Sequence, residues 1–595
     1  MKNLSTLNRY IGQYRGKLVL GIVFVFLSNL FRVFQPQLIR DALDQIVDYI
    51  KSPVAQRQPE VLVHQLMYFG LVVLVCALLM GLFMYFMRQT LIVMSRLIEY
   101  DQRRDIFAHY LKLDSTFYKK NKTGDIMSRI SEDVNKVRMY LGPAFLYGFN
   151  LISLFIVVIF TMFKVNATLA FYTLLPLPLL SLIIYKVSNL INQRSEKIQK
   201  QLARITSVAQ EAYSGIRIIK SFNTAGDWER YFGRETGRFR NLSMQLARVD
   251  SMFFPSMFLL VGISTLLTIY IGGLSVFEGS VTAGNIAEFV IYINMLTWPV
   301  SAIGWCASII QQAEASQKRI NEFLSLNPAL PLATQPATMP KDLTMGFHQV
   351  VFSYPESGIT ALQDLNLSIP PGSKVGIVGR TASGKSSLAE LLLRMYDPQK
   401  GAVTIGGIDL RQLNPHELRR HIAYVPQDVF LFSDTVAGNI LFGTSEVSAN
   451  PATMREMARI AAVEEEIMSF QDQYDTIIGE RGVTLSGGQK QRISIARALM
   501  RDAPIVILDD CLSAVDNITE EQIFHALLPL LEGKTLLLIT HRIAQTRFMD
   551  RILVMSDSQI IEEGTYDQLI EAGGFFKKLY DIETDSQRQA ARLLA

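Results

Sequence analysis

Four short stretches carry residue types that could do chemistry on a phosphate. GRTASGKS, residues 379–386, has the spacing of a glycine-rich loop that lays backbone N–H groups around phosphates. It follows the apolar run KVGIVG and precedes SLAELLLRMY, the strand–loop–helix setting such a loop needs. Lys385 would reach the terminal phosphates and the Ser386 hydroxyl would ligate Mg²⁺. About 120 residues later, IVILD (505–509) reads as a buried strand with Asp509 at its tip, an acid placed to hold Mg²⁺ through water. Between them LSGGQKQR, residues 485–492, opens a helix on a serine and two glycines, a second anion-binding helix start. One phosphate cradle suffices for one loop, so the spare one suits a nucleotide held by another copy. The fourth stretch is VILDDCLSAVD (506–516), where Asp510 follows Asp509.

What must position these residues is set out by the rest of the chain. At 595 residues, several domains are expected. The apolar runs fall almost entirely before residue 311, near 18–38, 64–88, 142–163, 167–186, 252–273 and 284–310, and each is long enough to cross a bilayer. The first continues without a small-residue cleavage site and reads as a retained membrane helix rather than a signal peptide. Lysine and arginine number four before it, eleven over 88–141 and twelve over 186–250, against Lys51, Arg57 and Lys164 in the opposite connections, with Arg40 at the boundary. The positive-inside rule then places both termini and the two long connections in the cytoplasm.

No proline falls between Pro59 and Pro143 or between Pro178 and Pro255, so helices are expected to run on as stiff stalks. Turn-like breaks at KKNKTGD (119–125) and YSGIRIIKSFNTAGD (213–227) would offer short elements to a partner domain. Asn29, Arg32, Asn150, Glu288 and Asn294 are costly in lipid, and are expected to line a cavity or bond between helices. Trp298 and Trp305 suit interfacial anchoring. The stretch 327–342, rich in proline, alanine and threonine, reads as a linker, and an α/β pattern begins near 343. The expected domains are therefore 1–326, 327–342 and 343–595. A net charge of +4 gives no support to a nucleic-acid partner. Cys76, Cys306 and Cys511 lie too far apart for a zinc or disulfide framework.

Together the GRTASGKS loop, the LSGGQ helix start, IVILD and six preceding spans resemble the ATP-binding cassette exporters, specifically half-transporters with six spans fused ahead of one cassette. The resemblance covers nearly the whole chain. It implies a multidomain fold: an all-α six-helix transmembrane domain with long cytoplasmic stalks, then an α/β P-loop nucleotide-binding domain. It implies ATP and Mg²⁺ as cofactors, with Gly379, Arg380, Thr381, Ala382, Ser383, Gly384, Lys385, Ser386 and Ser387 around the phosphates. By the same resemblance Tyr354 stacks on adenine, and Gln427 senses Mg²⁺ and the γ-phosphate. Asp516 lies at a cassette–cassette interface, His541 contacts the γ-phosphate, and Glu480 and Arg481 touch coupling helices within 113–123 and 212–222. Ser486, Gly487, Gly488 and Gln489 would complete the site of a second cassette.

Two departures are mild: Ala382 is commonly glycine and Ser387 commonly threonine. The third matters. The residue after the Walker B aspartate is usually glutamate, which polarises the attacking water. Asp510 is shorter by one methylene, about 1.5 Å, and misplacement of about 1 Å can cost roughly a hundredfold in rate. The expectation is a site that binds ATP and hydrolyses it slowly, in a heterodimer whose other half-transporter supplies the competent glutamate. Its work would be export, across the cytoplasmic membrane, of an amphipathic small molecule or lipid. A homodimeric lipid flippase and an ATP-gated, non-transporting membrane regulator are the competing readings. With about 17 residues ahead of the first span, a fused peptidase is not expected.

Overall fold

The computed structural model describes residues 2–594 except 332, 445–449 and 480–484; the side chains of 56, 180, 181, 184, 185, 188, 298, 300, 301 and 586–594 are also left aside. Glu480, Arg481 and the side chain of Trp298 thus lie outside the described residues. The chain divides into two compact units, residues 1–111 with 123–326, and residues 112–122 with 327–595. Although 112–122 interrupts the first unit in sequence, it packs with the second.

The first unit is helical. Its long apolar helices are α1 (Arg15–Lys51), α2 (Pro59–Tyr110), α4 (Thr123–Val165), α7 (Ala225–Phe277) and α8 (Ala283–Leu324), while the short α3 (Ser115–Lys120) belongs to the second unit. These five long helices are apolar enough to cross a membrane. The fourth expected span, 167–186, is divided instead: α5 (Ala167–Leu174) ends before α6 (Pro176–Ser214) begins. Pro176 and Pro178 lack the N–H groups that would carry one hydrogen-bond ladder through. Elsewhere the missing prolines have the expected consequence. The 52 residues of α2 make a rod of about 78 Å at 1.5 Å per residue, well beyond the roughly 30 Å hydrocarbon layer. The break at 213–227 is a turn at Gly215, a short helix Ile216–Ser221 and a second turn.

The costly polar residues mostly bond between helices. Asn29 is buried and donates to the Asn150 carbonyl oxygen at 3.2 Å. Glu288 is fully buried; Arg40 of α1 reaches it at 3.2 Å and the Tyr292 hydroxyl donates to it at 2.8 Å. On the same pair of helices, Asp44 accepts the Gly284 N–H at 2.8 Å and the Thr282 hydroxyl at 2.6 Å, capping the start of α8. A side chain at Gly284 would meet the Arg40 carbonyl oxygen at 2.5 Å, so glycine lets α1 come this close. Asn294 turns back on its own helix, donating to Val290. Trp305 packs edge-on against Tyr147.

The second unit is α/β. An antiparallel sheet of order β2-β1-β4-β5 comprises β1 (Met345–Ser353), β2 (Thr360–Ile369), β4 (Lys400–Ile405) and β5 (Ile408–Asp409). The main sheet has order β10-β9-β3-β8-β7-β6, with β3 (Lys374–Gly379), β6 (Ile422–Val425), β7 (Ile505–Asp509), β8 (Thr535–Ile539), β9 (Arg551–Ser556) and β10 (Gln559–Gly564). Its central strands are parallel and β10 is an antiparallel edge. Apolar runs such as IVILD are buried on both faces, as a covered parallel sheet requires. Helices α9 (Lys385–Leu392), α10 (Gly487–Leu499), α11 (Asn517–Leu530) and α12 (Phe575–Leu594) complete the elements that bear on the site. The carboxyl ends of β3, β7 and β8 sit side by side, because Leu508 pairs with Leu538 and Gly376 with Leu538. Ligands of open α/β sheets gather at that edge.

Candidate nucleotide site

The loop after β3 turns sharply before α9. Gly384 has φ 97°, and a Cβ there would lie 2.1 Å from the Ala361 carbonyl oxygen, so only glycine fits. Ala382, expected as a mild departure, adopts φ 67°, a conformation that strains an alanine and not a glycine. The Lys385 ammonium is buried and donates to the Gly379 and Arg380 carbonyl oxygens, both at 2.8 Å. Burial drives its pKa down to about 8, against the pull of Asp510 and Asp509.

A cavity of about 320 Å³ opens here, lined by Tyr354, residues 381–387, Gln427, Asp509, Asp510 and His541 among others. Ser386 donates to Asp509 at 3.0 Å, and the Tyr424 hydroxyl lies 3.4 Å from the other Asp509 oxygen. Burial lifts the Asp509 carboxyl to about 6, opposed by the Ser386 hydroxyl and assisted by the Asp510 charge. Gln427 donates to Asp510 at 3.3 Å. Asp510 sits at φ 44°, a left-handed position that aspartate tolerates better than most residues. Burial and the Lys385 charge hold the His541 imidazole below its usual pKa, against the pull of Asp510.

Two side chains expected around the phosphates are engaged by other side chains, and the second helix start lies apart. The Arg380 guanidinium lies over the Phe575 ring at 5.5 Å. The Ser387 hydroxyl is taken up by the Tyr354 phenol at 2.9 Å, and the phenol donates to Glu390 at 2.7 Å. Ser486, Gly487, Gly488 and Gln489 are outside this cavity altogether. Ser486 caps α10 reciprocally with Gln489, at 3.2 and 2.9 Å, and remains exposed with Gly487. Asp516 is also exposed and caps α11 through the Thr519 N–H at 2.9 Å.

The site's donors suit a nucleoside triphosphate with Mg²⁺. A hydroxyl and a carboxylate face each other as hard oxygen ligands. Among the described residues no group of three His, Cys, Asp or Glu could cage a metal alone, and Mg²⁺ beside phosphates takes its other ligands from them and from water. Glu390 and Tyr424 escaped sequence reasoning. Glu390 had a findable signal, since it stands on the face of the loop's own helix, four residues past Ser386.

Two family models match the chain: "ABC transporter transmembrane region" over residues 18–300 and "ABC transporter" over 362–513. The "Probable multidrug resistance ABC transporter ATP-binding/permease protein YheI" of Bacillus subtilis is 33% identical over 97% of both chains. The chain belongs to the ABC transporters. This transporter chain is also 33% identical over 87% of both chains to the "Multidrug resistance-like ATP-binding protein MdlA" of Escherichia coli. To the "ATP-dependent lipid A-core flippase" of Syntrophus aciditrophicus it is 32% identical, over 87% of this chain and 86% of that one. The solved "Structure of a bacterial Atm1-family ABC exporter with ATP bound" shares its fold, with TM-score 0.77 at 22% identity over 97% of this chain and 99% of that one. The transporter thus joins a helical transmembrane domain to an ATP-hydrolysing cassette in a multi-pass membrane protein.

Proposed function

We propose that this ABC exporter subunit uses ATP to move lipophilic small molecules or lipids across the cytoplasmic membrane, as one half of a heterodimer in which its own site is the slow one. The cassette, both termini and the long connections face the cytoplasm in this reading, in line with the lysine and arginine bias. Lys385 and the loop amides hold the phosphates, Tyr354 stacks on the base, and Ser386 and Asp509 bind Mg²⁺ with help from Gln427. Mg²⁺, when bound, neutralises charge on the β- and γ-phosphates. His541 reaches toward the γ-phosphate, and Asp516 borders the partner cassette.

The observation that carries the two-site reading is the exposure of Ser486 outside its own cavity. A self-capped helix start that stands exposed outside its own chain's nucleotide cavity is suited to close the pocket of another cassette. The slow-site reading rests on Asp510. Gln427 already holds one of its carboxylate oxygens, and the side chain is one methylene short of the reach a water-polarising glutamate has.

Purified chain alone and chain copurified with its partner half-transporter are compared for Mg²⁺-dependent ATP turnover. The pair is expected to turn over much faster; equal rates sink the heterodimer and favour a homodimeric flippase. Asp510→Glu is expected to raise turnover at this site by up to about a hundredfold, and an unchanged rate would mean that Asp510 already positions the water. ATP-dependent uptake of a lipophilic dye into inside-out vesicles separates a pump from a non-transporting regulator.

A further inference from the structure

The segment 112–122 links two membrane helices yet packs within the cassette unit, and one of its side chains reaches a residue of the nucleotide cavity. The Lys119 ammonium lies 5.1 Å from the centroid of the Tyr354 ring and 5.0 Å from that of Tyr396. It is also 3.8 Å from Glu390, the carboxylate that accepts the Tyr354 phenol proton in a hydrogen bond. Burial works against the Lys119 charge, but Tyr396, Glu390 and Glu356 outweigh it and raise its pKa. The described lining of the cavity includes Tyr354 and not Lys119. Tyr354 therefore turns part of its surface to the cavity and part to a cation from the segment between α2 and α4.

We propose that Lys119 is a base-sensing residue: a purine stacked on Tyr354 clamps that ring against the Lys119 ammonium and so fastens segment 112–122 to the cassette. The inference rests on the reading that Tyr354 stacks on the base. Its physics is a shared ring. A base on Tyr354 restricts the ring's motion, and a fixed ring holds the cation in the geometry where the face attracts it most. Coupling between two ligands of one element is reciprocal, so docking of Lys119 must tighten base binding by the same factor. The phosphates, held by Lys385 and the loop, take no part in it. Phosphate occupancy and base occupancy then carry separate messages, and only the second reaches the segment joined to the membrane helices.

The test uses the full chain in lipid nanodiscs with whatever partner copurifies, and compares Mg–ATP with Mg–triphosphate, which fills the loop but has no base. Lys119→Met is expected to weaken ATP binding about two- to five-fold while leaving triphosphate binding unchanged, and Lys119→Arg keeps the wild-type values. In the wild type, ATP slows amide hydrogen exchange over 112–122 several-fold and triphosphate does not; Lys119→Met removes that difference. Equal protection by the two ligands, or equal weakening of both by Lys119→Met, overturns the proposal. The underlying stacking is checked apart: Tyr354→Ala must weaken ATP more than triphosphate, and if it does not, the stacking reading falls whatever Lys119 does. Unchanged triphosphate binding by Lys119→Met excludes misfolding as the cause of its ATP phenotype, and Lys119→Arg shows that the charge is what matters.

Discussion

The cassette contains two helix starts built for anions, and they are finished in opposite ways. At α9 the loop folds its own lysine inward, buries it and walls it into a cavity with Asp509 and Asp510 at the end of β7. At α10 a reciprocal capping box satisfies the Gln489 and Ser486 N–H groups, and Ser486 stays in solvent. The first start buries a charge beside its cavity; the second keeps its shape with its own side chains and leaves Ser486 and Gly487 exposed. On the two-cassette reading proposed above, the difference is that of a phosphate site complete in chemistry and incomplete in enclosure, its missing wall carried on another cassette.

Four measurements break or sharpen that contrast. The largest effect is expected from Ser486→Arg, which puts a long side chain where the partner's nucleotide would be enclosed. Turnover of the assembled transporter should fall by about a hundredfold, while ATP affinity at this chain's own loop holds; a loss of that affinity instead would mean that Ser486 serves its own site. Next is pH. Because Lys385 titrates near 8 when its pocket lacks ligand, it is charged below that pH and neutral above it, whereas bound phosphates keep it charged. ATP affinity should therefore drop about tenfold per unit above pH 8, with proton uptake on binding detectable by calorimetry in buffers of different ionisation enthalpy. A flat affinity from pH 7 to 9 would contradict the assignment. A smaller change comes from Gln489→Ala, which opens the capping box and should destabilise the folded chain by about 1 kcal/mol in thermal unfolding. Smallest is Ala382→Gly, expected to stabilise by about 0.5–1 kcal/mol, since glycine carries no penalty at φ 67°; a loss of stability would show the strain to be absent.

Much of this was legible beforehand, for identifiable reasons. The loop, strand and helix around Lys385 were readable because local spacing alone creates a phosphate cradle. The cluster of Gln427, Asp510 and His541 needed three strand ends to meet, which the resemblance supplied and the parallel register realises. What escaped were contacts that no spacing encodes: Glu390 under the Tyr354 phenol, Arg380 lying on Phe575, and Lys119 arriving from between two membrane helices. Hydropathy found every apolar run but not the interruption of the fourth at Leu175. Its average ignores that two prolines interrupt a hydrogen-bond ladder without making the stretch less oily.

Arg40 and Glu288 hold one further consequence. If α1 and α8 were to part in a dry bilayer, Arg40 would keep Asp41 beside it on α1, but the buried Glu288 would be left without a cation, at a cost of about 3–5 kcal/mol. Either the two helices travel as one rigid lever, or a thread of water must reach the pair before they come apart. Wetting would then precede opening, and the order of those events would be written in a single carboxylate.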